Sequence, residues 1–466
     1  MGKKLLSTLV TLLIEIFTDV FTDIFADADK ADERSGWIMS NNFGFGPGNP
    51  SDPNDPENNP NFKELFEQLS NFGLNPQTLF AAANNAGSVG PLISPDVLRD
   101  VARKFVSSQG DLPVGSQDIA DSQVALDIAN TWLDEATNFP ALSRSNLPAW
   151  SRRDWLDSTV SNWAKMIEPL ADGMAGALTN VLKETSISET DAVPELAAVA
   201  PIMRAFMGSL IASQLGTSVG QLAVSITGSN DIAIPLFVVN EARLIPQNVS
   251  KWAEGLEIPI DEVRIFLAVR EAAASRLFSH APWLSQYIQD AITAYGAGIK
   301  IDIDSIQEQA ERALETGELD INNPESISVA ISAGLFKPEQ SASQDAALAK
   351  LEIILALIEG WIDYVSTKAI GERLPSFPAL SETLRRGRAT KSPTQQLFAT
   401  LLGLEVSPRK MRECSLFWFD VESEIGLSER DKRWEDPAFL PRAEDLSDVK
   451  KFLGSTIVPD DLSGLI

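Results

Sequence analysis

One histidine, His280, and one cysteine, Cys414, in 466 residues restrict what can hold this chain together. An intramolecular disulfide needs two cysteines, and a structural zinc site draws its four ligands mostly from Cys and His. Both kinds of staple are excluded, so the fold has to rest on its apolar core. With 44% apolar residues, the chain is long enough to bury one large core or two medium ones. Its 38 basic and 65 acidic residues leave a net charge of −27, which opposes binding to phosphate backbones and anionic lipid. Nucleic acid is not an expected partner. The near absence of thiols fits a reducing compartment, so the expected localisation is cytoplasmic.

Residues 1–38 read as an N-terminal extension. Thr8, Thr11, Glu15, Asp19 and Asp23 recur at helical spacing against a face of Leu, Ile, Val and Phe, which predicts an amphipathic helix over 5–25. Its charge-free stretch, Leu5 to Ile14, is about half of what a bilayer requires. The polar face is acidic, so docking on a protein groove is at least as well supported as membrane-peripheral association, for which 5–25 is the only candidate segment. Met39 offers a second start. Residues 39–62, rich in Asn, Pro, Gly and Asp, read as a flexible linker. A mainly α-helical domain with a small β-sheet is expected over 63–450, followed by a tail at 451–466.

Within that domain Ser151 and Asp154 resemble a capping box, and Trp155, Val160, Trp163, Ile167 and Leu170 follow at helical intervals. Strand signals are confined to Ile232 to Val239 and Gly298 to Asp304. Gly208, Ala212, Gly216 and Gly220 lie four apart, which on a helix makes a groove of small residues for close approach of a second helix. The same stretch contains G-x-S-x-G around Ser218. A nucleophile elbow needs a strand, a strained turn and a helix, whereas the residues before Ser218 continue a helical period. His280 falls at a helix end before Ala281-Pro282, where a cation suits the dipole. The basic run Leu384 to Lys391 reads as a solvated loop, with recognition of an acidic peptide or phosphate as its other use. Cys414 reads as a small packed residue.

Two helices carry the candidate chemistry. The first, roughly Asp261 to His280, places Arg270-Glu271 in an apolar, alanine-rich face. The second, roughly Gln344 to Lys368, spaces Glu352, Glu359 and Asp363 seven and four apart, near one helix face. A carboxylate buried among such apolar neighbours needs a partner, and Arg270 is the candidate.

The segments VREAAASRLFSHAPWL, ALIEGWIDYV, RRGRATKSPTQQLFATLLGLEVSPRKMRE and WEDPAFLPRAEDL resemble successive blocks of the actinobacterial zincin-like hydrolases, zinc-dependent metallopeptidases related to proteins associated with deazaflavin-cofactor biosynthesis. NNFGFGPGNP, AWSRRDWLDSTVSNW and SNDIAIPL extend the likeness over about residues 42 to 448. It implies H-E-x-x-H on the first helix, two histidines binding zinc and the glutamate acting as general base, with a third histidine after Glu-Gly on the second. Here those positions hold Arg270, Glu271, Ala274 and, after Glu359-Gly360, Trp361. The base position survives, while arginine, alanine and indole are not zinc ligands. No cofactor is therefore expected in this chain, although members that keep the motif would hold zinc. Arg270 is expected to pair with Glu359 or Asp363 and close the site, leaving a non-catalytic protein that binds a peptide or protein partner. The alternatives are a hydrolase using Glu271 with a hard metal held by Glu271, Glu359 and Asp363, or a scaffold docked through residues 5–25.

Overall fold

A computed structural model of the chain describes residues 91–143, 145–187, 193–299, 341–391 and 408–455. The expected helix at 5–25, the linker at 39–62 and most of the strand at 298–304 lie outside them. The chain divides into two compact units: 1–92 with 175–209 and 301–338, and 93–174 with 210–300 and 339–466. Every candidate site residue belongs to the second.

The described residues are almost entirely helical. In chain order they form α1 (Pro95–Ser108), α2 (Ser116–Leu133), α3 (Arg152–Ile187), α4 (Val193–Ser225), α5 (Pro246–Ala253), α6 (Ile260–His280), α7 (Trp283–Ala297), α8 (Ala342–Ile370), α9 (Phe377–Lys391), α10 (Pro408–Lys432) and α11 (Val449–Ser455). The capping box before α3 is present, with Asp154 N–H donating to Ser151 Oγ at 3.1 Å and Ser151 N–H to Asp154 Oδ2 at 2.9 Å. The α3 residues Trp155, Val160, Trp163, Ile167 and Leu170 are all buried. Ser341 and Gln344 make a second capping box at the start of α8, and Gly371, at φ 51°, ends that helix.

α6 is enclosed by its neighbours. From Val263 to Phe278 nearly every side chain is buried, including the run Ala272 to Ala274, which suits a helix surrounded on all sides. It packs against α2 and α8, while α8 also packs against α7 and α10. The small-residue groove of α4 receives α1: a Cβ at Gly216 would lie 2.8 Å from Leu98 O, and one at Gly220 would lie 2.9 Å from Phe105 Cβ. Ser218 sits mid-helix in α4, so the G-x-S-x-G there is not a nucleophile elbow.

The expected strand at Ile232 to Val239 is a loop. Pro235 has no N–H to offer a ladder, Ala233 adopts φ 56°, and the apolar side chains Ile232, Ile234 and Leu236 are buried while Val238 and Val239 are exposed. The sheet among the described residues reduces to two isolated bridges, Ala149 with Leu244 and Gly228 with Leu244.

α8 and α10 meet without an intervening side chain at Gly360, where an added Cβ would lie 2.6 Å from Cys414 Cβ and 2.7 Å from the backbone of Cys414 and Ser415. Cys414 is the buried packing residue expected, and burial pushes its thiol up to about 12. Gly360→Ala is expected to cost about 1–3 kcal/mol through overpacking. Urea unfolding of the two proteins measures it, and an unchanged midpoint contradicts this crossing.

Candidate functional site

Residue 270 lies mid-way along α6, and residues 359 and 363, one turn apart, present their carboxylates from α8. Arg270 Nη2 lies 3.1 Å from Glu359 Oε2, and Nη1 lies 3.3 Å from Asp363 Oδ1. The expected pairing is therefore realised with both carboxylates at once. Asp363 is fixed from its other side by Ser415 Oγ–H at 3.0 Å. Glu352, further along the same helix, pairs instead with Lys410.

A second arginine enters from α9. The segment 384–391, expected as a solvated loop, is the last part of that helix, and it divides by face: Arg385 and Arg386 are exposed, whereas Arg388 turns inward. Arg388 pairs with Glu359 and donates to Asp231 Oδ1 at 2.8 Å. Leu380, Leu384 and Arg388 stand four apart, so the helical period carries the signal that puts Arg388 beside an apolar anchor. A buried carboxylate held between two guanidiniums follows from the cost of burying an unpaired charge.

Glu271 faces the loop between α4 and α5. Ser229 Oγ–H donates to its Oε1 at 2.6 Å and Asn230 Nδ2–H at 2.8 Å, Asn230 N–H reaches both oxygens at 3.0 and 3.1 Å, and Arg243 N–H reaches Oε1 at 3.3 Å. Four of these contacts fall on Oε1, while Oε2 receives only the Asn230 N–H that it shares with Oε1. Gly228 is required here, since a Cβ would fall 2.3 Å from Glu271 Oε2. Burial dominates over the donors and holds the Glu271 carboxyl up to about 7. The sequence reading missed these loop residues, although the run Thr227-Gly228-Ser229-Asn230-Asp231 is dense in side chains that bond to backbone.

Arg270, Glu271, Ala274 and Glu359 line one cavity with Asn230 and Arg388. Its volume of about 10 Å³ is room for about one water. Trp361 does not line it. Two residues along a helix from Glu359, Trp361 points to the other side, where its Nε1–H lies 3.3 Å from Asp431 Oδ1 and its ring is 5.5 Å from that of Phe139. A ligand at position 361 could not meet positions 270 and 274 across one metal ion. His280 is likewise remote in role: it ends α6, its Nδ1 lies 2.7 Å from Arg276 O, and it stacks on Phe139 with ring centroids 4.8 Å apart.

A family model described as zincin-like metallopeptidase matches residues 93–453. The chain belongs to that family. Among solved structures, this zincin-like chain is similar to a suspected hydrolase with a novel fold from Chloroflexus aurantiacus, at 16% identity and a TM-score of 0.52, covering 78% of this chain and 98% of the other. No curated protein matches it. Zinc is the metal that membership implies, and the residues here do not fit it. The positions that the likeness to H-E-x-x-H would give to the first two ligands hold a guanidinium and a methyl group, and Glu359, the carboxylate facing them, is shared by two arginines. The same geometry counts against a site of three oxygen ligands, because Glu359 is shared by two arginines and Glu271 Oε1 is taken by loop donors. Among the described residues, no His, Cys, Asp and Glu side chains cluster as a metal site.

Two outcomes are expected. Arg270→Ala leaves Asp363 without a cation and Glu359 with one, at a cost of about 3–5 kcal/mol if the pair behaves as a broken buried ion pair; urea unfolding measures it, and a loss under about 1 kcal/mol contradicts the assignment. The unfolded chain releases the Glu271 proton near 4.5 and the folded chain near 7, so stability falls as pH rises between those values and this contribution is flat above. Glu271→Gln has no proton to release. It is expected to remove that slope and, with its amide facing a donor, to cost about 1–3 kcal/mol; an unaltered slope rules Glu271 out as its source.

Proposed function

We propose that this protein is a non-catalytic member of the zincin-like metallopeptidase family that acts by binding a peptide or protein partner. The observation that carries this is the Arg270 guanidinium, which occupies the first ligand position and bridges Glu359 and Asp363. A fixed, always protonated cation there satisfies the carboxylates that a metal site would use and cannot ligate zinc. We also assign the third ligand position of such a site to Glu359 rather than to residue 361, since two histidines and a glutamate form a known catalytic zinc set. Asp363 then takes the place of the carboxylate that orients a ligating histidine. The resemblance of NNFGFGPGNP and the later blocks supports an actinobacterial, deazaflavin-associated branch as its closest setting. A cytoplasmic location agrees with the thiol content, and among the described residues no helix is long and apolar enough to cross a membrane.

One observation favours a second reading, an active hydrolase: a carboxyl held near 7 is suited to general acid–base chemistry. The loop donors gathered on Glu271 Oε1, and a guanidinium and a methyl group at positions 270 and 274, weigh against it. Hydrolysis of a peptide library by the wild type and by Glu271→Gln, with zinc, magnesium or calcium added, separates the two. The binding role predicts no metal-dependent cleavage by either protein. Metal-dependent cleavage by the wild type that disappears in Glu271→Gln overturns it. The scaffold role of residues 5–25 is tested by deleting residues 1–38, which is expected to leave localisation unchanged unless that segment recruits the protein.

A further inference from the structure

Three polar atoms on residues around the small cavity have fewer partners than their burial requires. Asn230 is 1% exposed and its Oδ1 accepts no hydrogen bond, and Arg270 is 7% exposed and its Nε–H donates none. Glu271 Oε2 receives only the Asn230 N–H that it shares with Oε1. Turning the Asn230 amide over does not repair this. Its Nδ2 already faces three acceptors, Glu271 Oε1 at 2.8 Å, Ser229 Oγ at 3.1 Å and the Glu241 carbonyl at 3.3 Å. The flipped amide would set an oxygen against a carboxylate and a carbonyl, so the orientation with Oδ1 unpaired is the one the network selects.

All three residues line the same cavity of about 10 Å³, to which Asp231, Glu359 and Arg388 also contribute. That volume admits about one water-sized molecule, and the lining decides which. A cation would lie beside the guanidiniums of Arg270 and Arg388 and could not accept from Arg270 Nε–H. An anion would lie beside Asp231, Glu359 and Glu271 and could donate nothing to Asn230 Oδ1. An unpaired donor and an unpaired acceptor are served together only by a group that both accepts and donates, and at this size that group is water.

We propose that this cavity is a binding site for a single buried water, which accepts from Arg270 Nε–H and donates to Asn230 Oδ1 and Glu271 Oε2. Buried waters typically make about three hydrogen bonds to polar groups that would otherwise be unsatisfied, and these three atoms supply that number. Two anchors are joined in this way. Glu271 holds the loop at 227–231 to α6, and Arg270 holds α6 to α8 through Glu359 and Asp363. Asp231 and Arg388 already tie that loop to the charge cluster, and the water adds a second tie, from Asn230 to Arg270.

The test is a high-resolution crystal structure of the full-length wild type. It is expected to show one ordered water within about 3.2 Å of both Arg270 Nε and Asn230 Oδ1. A cavity without density, or a water that meets only one of the two, overturns the proposal and leaves the non-catalytic reading standing. A metal ion in that place overturns both. In solution, magnetic relaxation dispersion of the water oxygen counts long-lived internal waters. Ala274→Val, whose added methyl groups enter the cavity, is expected to hold one fewer than the wild type, and an equal number overturns the proposal. Should Ala274→Val not fold, the wild-type crystal structure decides by itself.

Discussion

Glu359 between Arg270 and Arg388 is the interaction on which the rest of the site depends. Three helices, α6, α8 and α9, each contribute one side chain, and none of the three charges could be buried alone. Removing a charge from water costs several kcal/mol, and the pair interaction repays this only when geometry and further hydrogen bonds are good. Much of this is met here: Asp363 and Asp231 take further guanidinium donors, and Ser415 and Thr227 hold those carboxylates in turn. One orphan remains in Arg270 Nε, buried without a partner, on the residue that faces Arg388 across the shared carboxylate. Burial, joined by the like charge of Arg388, lowers the Arg270 pKa.

The same cluster separates what the fold inherits from what it does. The zincin-like metallopeptidase family model spans both α6 and α8, and under the proposed reading Glu271 stands at the general-base position of the frame they form. Chemistry depends on which side chains occupy that frame. In this chain the frame is filled by cations and by an alanine, and Glu271 is turned into the anchor of the loop between α4 and α5. Its loop donors, most of them on Oε1, make it a tether, which gives the residue a place in the structure without histidines beside it.

Parts of this were legible in the residues themselves. The seven-and-four spacing of Glu352, Glu359 and Asp363 on an apolar helix, and an arginine buried in an alanine-rich one, were enough to pair Arg270 with Glu359 and Asp363. Helix ends at His280 and before Arg152 followed from Ala281-Pro282 and from Ser151 with Asp154. Other features depend on tertiary geometry. Trp361 was placed by likeness to a motif, and only the rotation of α8 shows that its side chain leaves the site for Phe139 and Asp431. Arg388 was hidden in a basic run whose other arginines are solvated, so composition pointed outward where helical phase pointed in. The apolar run at Ile232 to Val239 resembled a strand because several of its residues are buried in a loop, and Pro235 was the local evidence against it.

Under the proposed reading, Arg270 and Arg388 stand beside Glu359 where a metal cation would lie. Equilibrium dialysis against micromolar zinc tests it most directly, on the wild type and on a variant combining Arg270→His, Ala274→His and Arg388→Ala. The account predicts no zinc bound at this site by the wild type and one zinc bound by the triple variant, lost again when Glu359→Ala is added. One zinc on the wild type that is released by Glu359→Ala would contradict it.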